Sequence, residues 1–128
     1  MRRKVVSLIL FVCIALGLTA CYQGNLNGPK VAVNGDSITN MATPDIQAAL
    51  APDYAYNVLG QSGYTIADAL PSLQTMLTDP EGAPQDVIVN LGTNNVLRQD
   101  TLWPWELAAE VNLLANTQCV IMVNVSTY

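Results

Sequence analysis

Three short stretches of this 128-residue chain collect the residue types that acyl transfer needs. They are Asn34-Gly35-Asp36-Ser37-Ile38, Gly60-Gln61-Ser62-Gly63 and Gly92-Thr93-Asn94-Asn95. Ser37 offers a hydroxyl nucleophile. The backbone N–H of Gly63, the side-chain amide of Asn94 and the N–H of Ser37 are candidate donors to a developing oxyanion. Glycine at position 63 lets a ligand approach the backbone closely. Asp36 reads as a loop-shaping hydrogen-bond acceptor, Ser62 as support for its turn, and Asn95 as structural. Each block alone is ordinary turn composition; their occurrence together carries the reading. One component is missing. The sequence contains no histidine, so no imidazole within it can take the Ser37 proton or ligate a metal.

The elements that must position these blocks follow from the apolar pattern. Lys30–Asn34, Tyr54–Leu59 and Asp86–Leu91 read as strands, each running directly into one of the blocks. A fourth strand is expected over Cys119–Val125, with Cys119 as a small buried hydrophobe. Thr43-Pro44-Asp45 carries a capping hydroxyl, a first-turn proline and an acid, and predicts a helix that closes before Pro52. Thr65-Ile66-Ala67-Asp68 resembles a capping box, opening a helix with Ile66, Leu70, Leu73 and Leu77 on its apolar face. Pro71 is expected to kink it near its start. Trp105–Ala115 predicts a third helix with Leu107, Val111 and Leu114 on one face. Trp103 and Trp105 read as packing near that helix start rather than as pocket walls. Alternating strands and helices predict an α/β domain with a parallel sheet, whose sites lie at the carboxyl ends of the strands.

The three blocks, in this order and at strand ends, resemble those of the SGNH/GDSL hydrolase family. Gly35-Asp36-Ser37-Ile38 stands for the first block, Gly63 for the oxyanion-hole glycine of the second, and Gly92-Thr93-Asn94-Asn95 for the third. The resemblance covers Lys30 to about Tyr128. It implies a flavodoxin-like three-layer α/β/α fold and hydrolysis of esters, of small molecules or of acetyl groups on sugars. It assigns Ser37 as nucleophile and the N–H groups of Ser37 and Gly63 with the Asn94 amide as oxyanion donors, with Asp36 and Asn95 in support. It implies no metal or organic cofactor. The chain departs from the family twice. Asn95 stands where the third block usually has Asp, and the last block, Asp-x-x-His, which carries the base, is absent. An uncharged Cys119–Val125 strand expects a further neighbour, because natural edges carry charge, proline or a cover. The expectation is a chain forming the N-terminal part of a longer protein.

Charge placement gives the remaining organisation. Arg2, Arg3 and Lys4 precede the uncharged run Val5–Leu18. That run is shorter than the roughly 18 to 20 residues of a bilayer-spanning helix, and reads as a signal peptide over residues 1–20. Leu18-Thr19-Ala20-Cys21 resembles the lipobox of bacterial lipoproteins, which implies export, a lipid on Cys21 and anchorage to an envelope membrane. Residues 21–29 then read as a tether, and residues 30–128 as the partial hydrolase domain. Removing residues 1–20 leaves Lys30 and Arg98 against ten acids, a net charge of −8. Such a surface offers nothing to nucleic-acid phosphates and is repelled by anionic lipid. Asn124-Val125-Ser126 fits a glycosylation sequon but falls in a predicted strand, and is set aside. Two other functions compete with the hydrolase. One is a non-catalytic envelope lipoprotein that keeps the fold to bind a ligand. The other is a flavodoxin-like cofactor or receiver domain, for which the single acid of Gly35-Asp36-Ser37 is a poor fit.

Overall fold

The computed structural model describes residues 22–123. The expected signal peptide, Cys21 and the sequon lie outside the described residues. In chain order the elements are β1 (Gln23–Gly24), β2 (Lys30–Gly35), α1 (Ser37–Leu50), β3 (Ala55–Gly60), α2 (Ile66–Leu77), β4 (Asp86–Asn90), α3 (Thr93–Leu97), α4 (Trp103–Leu114) and β5 (Cys119–Met122). The strands form one sheet in the order β1-β3-β2-β4-β5. The pairs β2–β3, β2–β4 and β4–β5 are parallel, and β1 pairs antiparallel with β3. No helix among the described residues is long and apolar enough to cross a membrane.

Helices lie on both faces, as the parallel pairing requires. One face of β2 presents Ala32 and Asn34 to α2; the Asn34 amide donates to Ser72 Oγ at 2.9 Å. Ala32, Val87, Val89 and Leu91 join Ile66, Ala69, Leu73 and Met76 of α2 and Leu114 of α4 in the main core. Leu73 is wholly buried, a contribution of about 2 to 3 kcal/mol for one such side chain. The α2 face is therefore centred on Ile66, Ala69, Leu73 and Met76; Leu70 and Leu77, expected on it, are only half-buried. The capping box forms as the sequence predicts: Asp68 N–H donates to Thr65 Oγ1, and Thr65 N–H to the Asp68 carboxylate. Those Thr65 backbone and hydroxyl donors hold the Asp68 carboxyl below its usual range, with help from Arg98.

Four expectations are corrected. The first helix begins at Ser37, not Thr43, because the Asp36 carboxylate accepts from Ile38 N–H at 2.9 Å and caps it. Pro44 is then an interior, exposed helix residue. The segment expected as a free tether is held at its start, although most of it stays exposed. Tyr22 is buried, donates its hydroxyl to the Gly82 carbonyl at 3.2 Å, and leads into β1. Burial, with Asp79 and Glu81 nearby, pushes its phenol up to about 12. Finally, Cys119 is exposed and not buried. It lies on the sheet face opposite α4, next to Ile121, which is 52% exposed. No helix among the described residues covers that end of the sheet. On α4, Leu114 is buried and Leu107 half-buried, but Val111 is exposed and the buried neighbour is Glu110.

Candidate active site

The parallel strands β3, β2 and β4 are adjacent, so their carboxyl ends bring the three blocks side by side. At the centre, β2 turns directly into α1. Asp36 is wholly buried as N-cap, and Ser37 is the first helical residue, half-buried. The N–H of a first helical residue has no intrahelical partner. The Asp36 carboxylate takes the Ile38 N–H and leaves that of Ser37 open to a ligand. The turn is tight: a Cβ at Gly35 would overlap the Thr39 side chain and come within 3.0 Å of the Asn90 carbonyl. Gly35→Ala should therefore cost about 1 to 3 kcal/mol, read as a lowered urea midpoint with an unchanged slope.

Gly63 follows β3 with φ +81°, a left-handed conformation that disfavours any side chain. Among the described residues no backbone carbonyl accepts from its N–H. Its own carbonyl accepts from Arg98 Nη2 at 2.7 Å. This loop is tied to the Ser37 turn twice: Gln61 N–H donates to the Gly35 carbonyl at 3.0 Å, and the Asn40 amide to Ser62 Oγ at 3.3 Å. Ser62 thus has the supporting role that its sequence context suggests.

On the other side, Gly92 (φ +105°) ends β4 and starts the short α3, an element the sequence reading missed. Asn94 is half-buried, and its amide nitrogen donates to the Tyr64 carbonyl at 2.8 Å. That bond fixes the side chain while using one of its two amide hydrogens. Asn95 is 2% exposed and ties three segments together. Its Oδ1 accepts from Ile66 N–H at 3.0 Å, and its Nδ2 donates to Asp100 at 2.9 Å and to Glu106 at 2.7 Å. The departure from the usual Asp is thus built into the fold, since an amide here feeds two carboxylates.

The sequence reading also missed Glu110. It is 1% exposed, and its Oε1 has no partner among the described residues. It borders an open cavity of about 420 Å³ together with Ile66, Leu91, Leu107 and Met122. Trp103 stands at the wall of this cavity, half exposed, while Trp105 is largely exposed. The available signal was an acid set among Leu107, Val111 and Leu114 at helical spacing.

Burial pushes the Glu110 carboxyl up to about 7. An acid raised in the folded state is stabilised neutral. Stability should be full below about pH 4.5, where folded and unfolded chains both hold the proton. It should fall by about 3 kcal/mol as pH rises through 7. Asp68 works in the opposite sense but only below its ordinary value of 3.8, outside this window. Urea midpoints between pH 5 and 8 should show the slope, and Glu110→Gln should flatten it.

No protein-family model matches the chain, and no curated relative matches it. Solved structures do. AlinE4, an SGNH-hydrolase family esterase, superposes with a TM-score of 0.64 at 17% identity, over 79% of this chain and 61% of its own. The fold is that of the SGNH hydrolases. TesA gives 0.61 at 22% identity, over 77% of this chain and 61% of its own. The psychrotrophic esterase EstA from Pseudoalteromonas sp., in a structure inhibited by monoethylphosphonate, gives 0.59 at 21% identity, over 75% and 59%. The chain thus spans about three-fifths of the length of these SGNH-fold neighbours.

Proposed function

We propose that this chain is the nucleophile-bearing portion of a serine ester hydrolase of the SGNH type, exported and lipid-anchored through Cys21. The observation that carries the reading is the meeting of Ser37, Gly63 and Asn94 on adjacent strand ends, in the fold shared with SGNH esterases. Ser37 Oγ attacks the ester carbonyl, and the alcohol leaves with a proton. The carbonyl oxygen, negative in the tetrahedral intermediate, takes the N–H groups of Ser37 and Gly63 and the second amide hydrogen of Asn94. The amino-terminal end of α1 adds favourable potential at the same place. Water then hydrolyses the acyl-enzyme. The base that accepts the Ser37 proton comes from sequence outside these 128 residues, as the resemblance implies; general acid–base help is worth about 10² to 10⁴ in rate. The substrates are esters of small molecules or glycans. No metal or organic cofactor takes part in this scheme.

Trapping tests it. The longer protein, quenched during turnover of a short-chain p-nitrophenyl ester, should yield one acylated peptide containing Ser37 by mass spectrometry. Turnover with acylation elsewhere, or no turnover by a protein that carries a downstream histidine, would overturn the reading in favour of a ligand-binding lipoprotein.

A further inference from the structure

We propose that Arg98 is the positioning residue of the oxyanion site, holding the Gly63 loop and the Asn94 side chain in register from the end of α3. This role rests on the hydrolase reading and adds to it a residue outside the three blocks. Arg98 comes four residues after Asn94, so the two side chains leave one face of the short helix. They take consecutive carbonyls of the same loop. Arg98 Nη2 donates to the Gly63 carbonyl at 2.7 Å, and the Asn94 amide to that of Tyr64 at 2.8 Å. The Arg98 N–H also donates to the Asn94 carbonyl at 3.0 Å. One residue therefore touches both segments that supply the side-chain and glycine donors.

Gly63 needs such a hold. Glycine populates both signs of φ, so the +81° at this position is one setting among several. On its amino side, Ser62 is fastened to the Asn40 amide at 3.3 Å. On its carboxyl side, Arg98 fastens the carbonyl. Between these two points the Gly63 N–H keeps one direction. Arg98 is itself aimed. Its Nη1 lies 3.9 Å from Asp68 Oδ2, and the Thr65 N–H and hydroxyl fix that oxygen at 3.0 and 2.8 Å. The backbone beyond Arg98 closes at once: Gln99 has φ +54°, a left-handed setting that ends a helix, and Asp100 N–H donates to the Asn95 carbonyl at 2.9 Å. Charge adds to the hold, because a hydrogen bond from a cation is about twice as strong as a neutral one. Of the two cations among the described residues, Lys30 starts β2 at the far end of the sheet, and Arg98 flanks the site. A Cβ on Gly63 would stand 3.5 Å from its Nη2.

Substitution in a longer protein that carries the base tests this. The Arg98 side chain is more than half exposed, so Arg98→Met should fold with a urea midpoint close to the parent's. Its kcat on a short-chain p-nitrophenyl ester should fall about 10- to 100-fold, less than outright loss of an oxyanion donor. KM should stay within about twofold. Arg98→Lys keeps a cationic donor but not the two-armed fork, and should recover part of the loss. Relaxation dispersion of the Gly63 amide should show exchange in Arg98→Met that the parent lacks. Unchanged kcat in Arg98→Met would overturn the role, even with a lowered urea midpoint, which would leave Arg98 a structural contact only. So would a raised KM at unchanged kcat, which would place Arg98 on the substrate, or a Gly63 amide as quiet as the parent's. A parent without turnover would overturn the hydrolase reading and this role with it, whereas an active parent indifferent to Arg98→Met would overturn this role alone.

Discussion

Under the proposed hydrolase function, Ser37→Ala should abolish ester cleavage by a longer protein that carries the base, with kcat falling on the order of 10⁴ or more. The size follows from what the turn between β2 and α1 supplies. In the proposed reaction the hydroxyl forms the covalent bond; the neighbouring Ser62 hydroxyl is held by the Asn40 amide and supports the loop. The backbone N–H of residue 37 survives the substitution. Substrate KM should therefore move little while kcat collapses. The circular dichroism and urea midpoint of Ser37→Ala should match the parent, because Asp36 supplies the cap without the serine hydroxyl. Retention of more than a hundredth of parent kcat, beyond the reach of oxyanion stabilisation alone, would remove Ser37 from the nucleophile's role.

Asn95→Asp, which introduces the acid that the third block of the resembled family usually carries, should destabilise this chain by about 3 kcal/mol or more. The new oxygen would replace a donor that now serves Asp100 at 2.9 Å and Glu106 at 2.7 Å, leaving three carboxylates around one buried point. The Ile66 N–H bond to Oδ1 survives, so the loss belongs to the other arm of the side chain. Adding Glu106→Gln returns an amide donor to the site and should recover a good part of the loss, a coupling that a double-mutant cycle measures directly. An Asn95→Asp chain as stable as the parent would show that the amide is interchangeable with an acid there.

These two residues also show what the sequence made legible. The blocks around Ser37, Gly63 and Asn94 could be read because apolar strands lead into them and turn residues follow, a pattern local in sequence. Asp36 was recognised as an acceptor, but its partner, Ile38 N–H, makes it a helix cap, and the decoy Thr43-Pro44-Asp45 hid the true start. Pro44 is accommodated inside α1 on an exposed face, where tertiary packing of the other face outweighs the local signal. Asn95 was legible as structural, but its partners were not, because they lie five and eleven residues away and across on α2. Glu110 disappeared into an apolar stripe for a related reason: periodicity reports which face is buried, not which polar group is trapped there. Cys119 misled in the opposite direction. An apolar run predicts burial only if something covers it, and this end of the sheet has no described cover.

The packing of Tyr22 bears on how the molecule would stand at a surface. Gln23 and Gly24 pair with Tyr56 and Ala55, at the start of β3, and the Tyr22 hydroxyl reaches the loop that precedes β4. Ser37, Gly63 and Asn94 sit past the opposite ends of the same strands, a strand length of roughly 20 Å away. A lipid on Cys21, one residue before this packed tyrosine, would hold the body close to the bilayer with little slack. The mouth formed by Ser37, Gly63 and Asn94 would then open toward the aqueous compartment, with its back to the lipid. Esters diffusing in water would meet it head-on, and those buried among acyl chains would have to leave the membrane first.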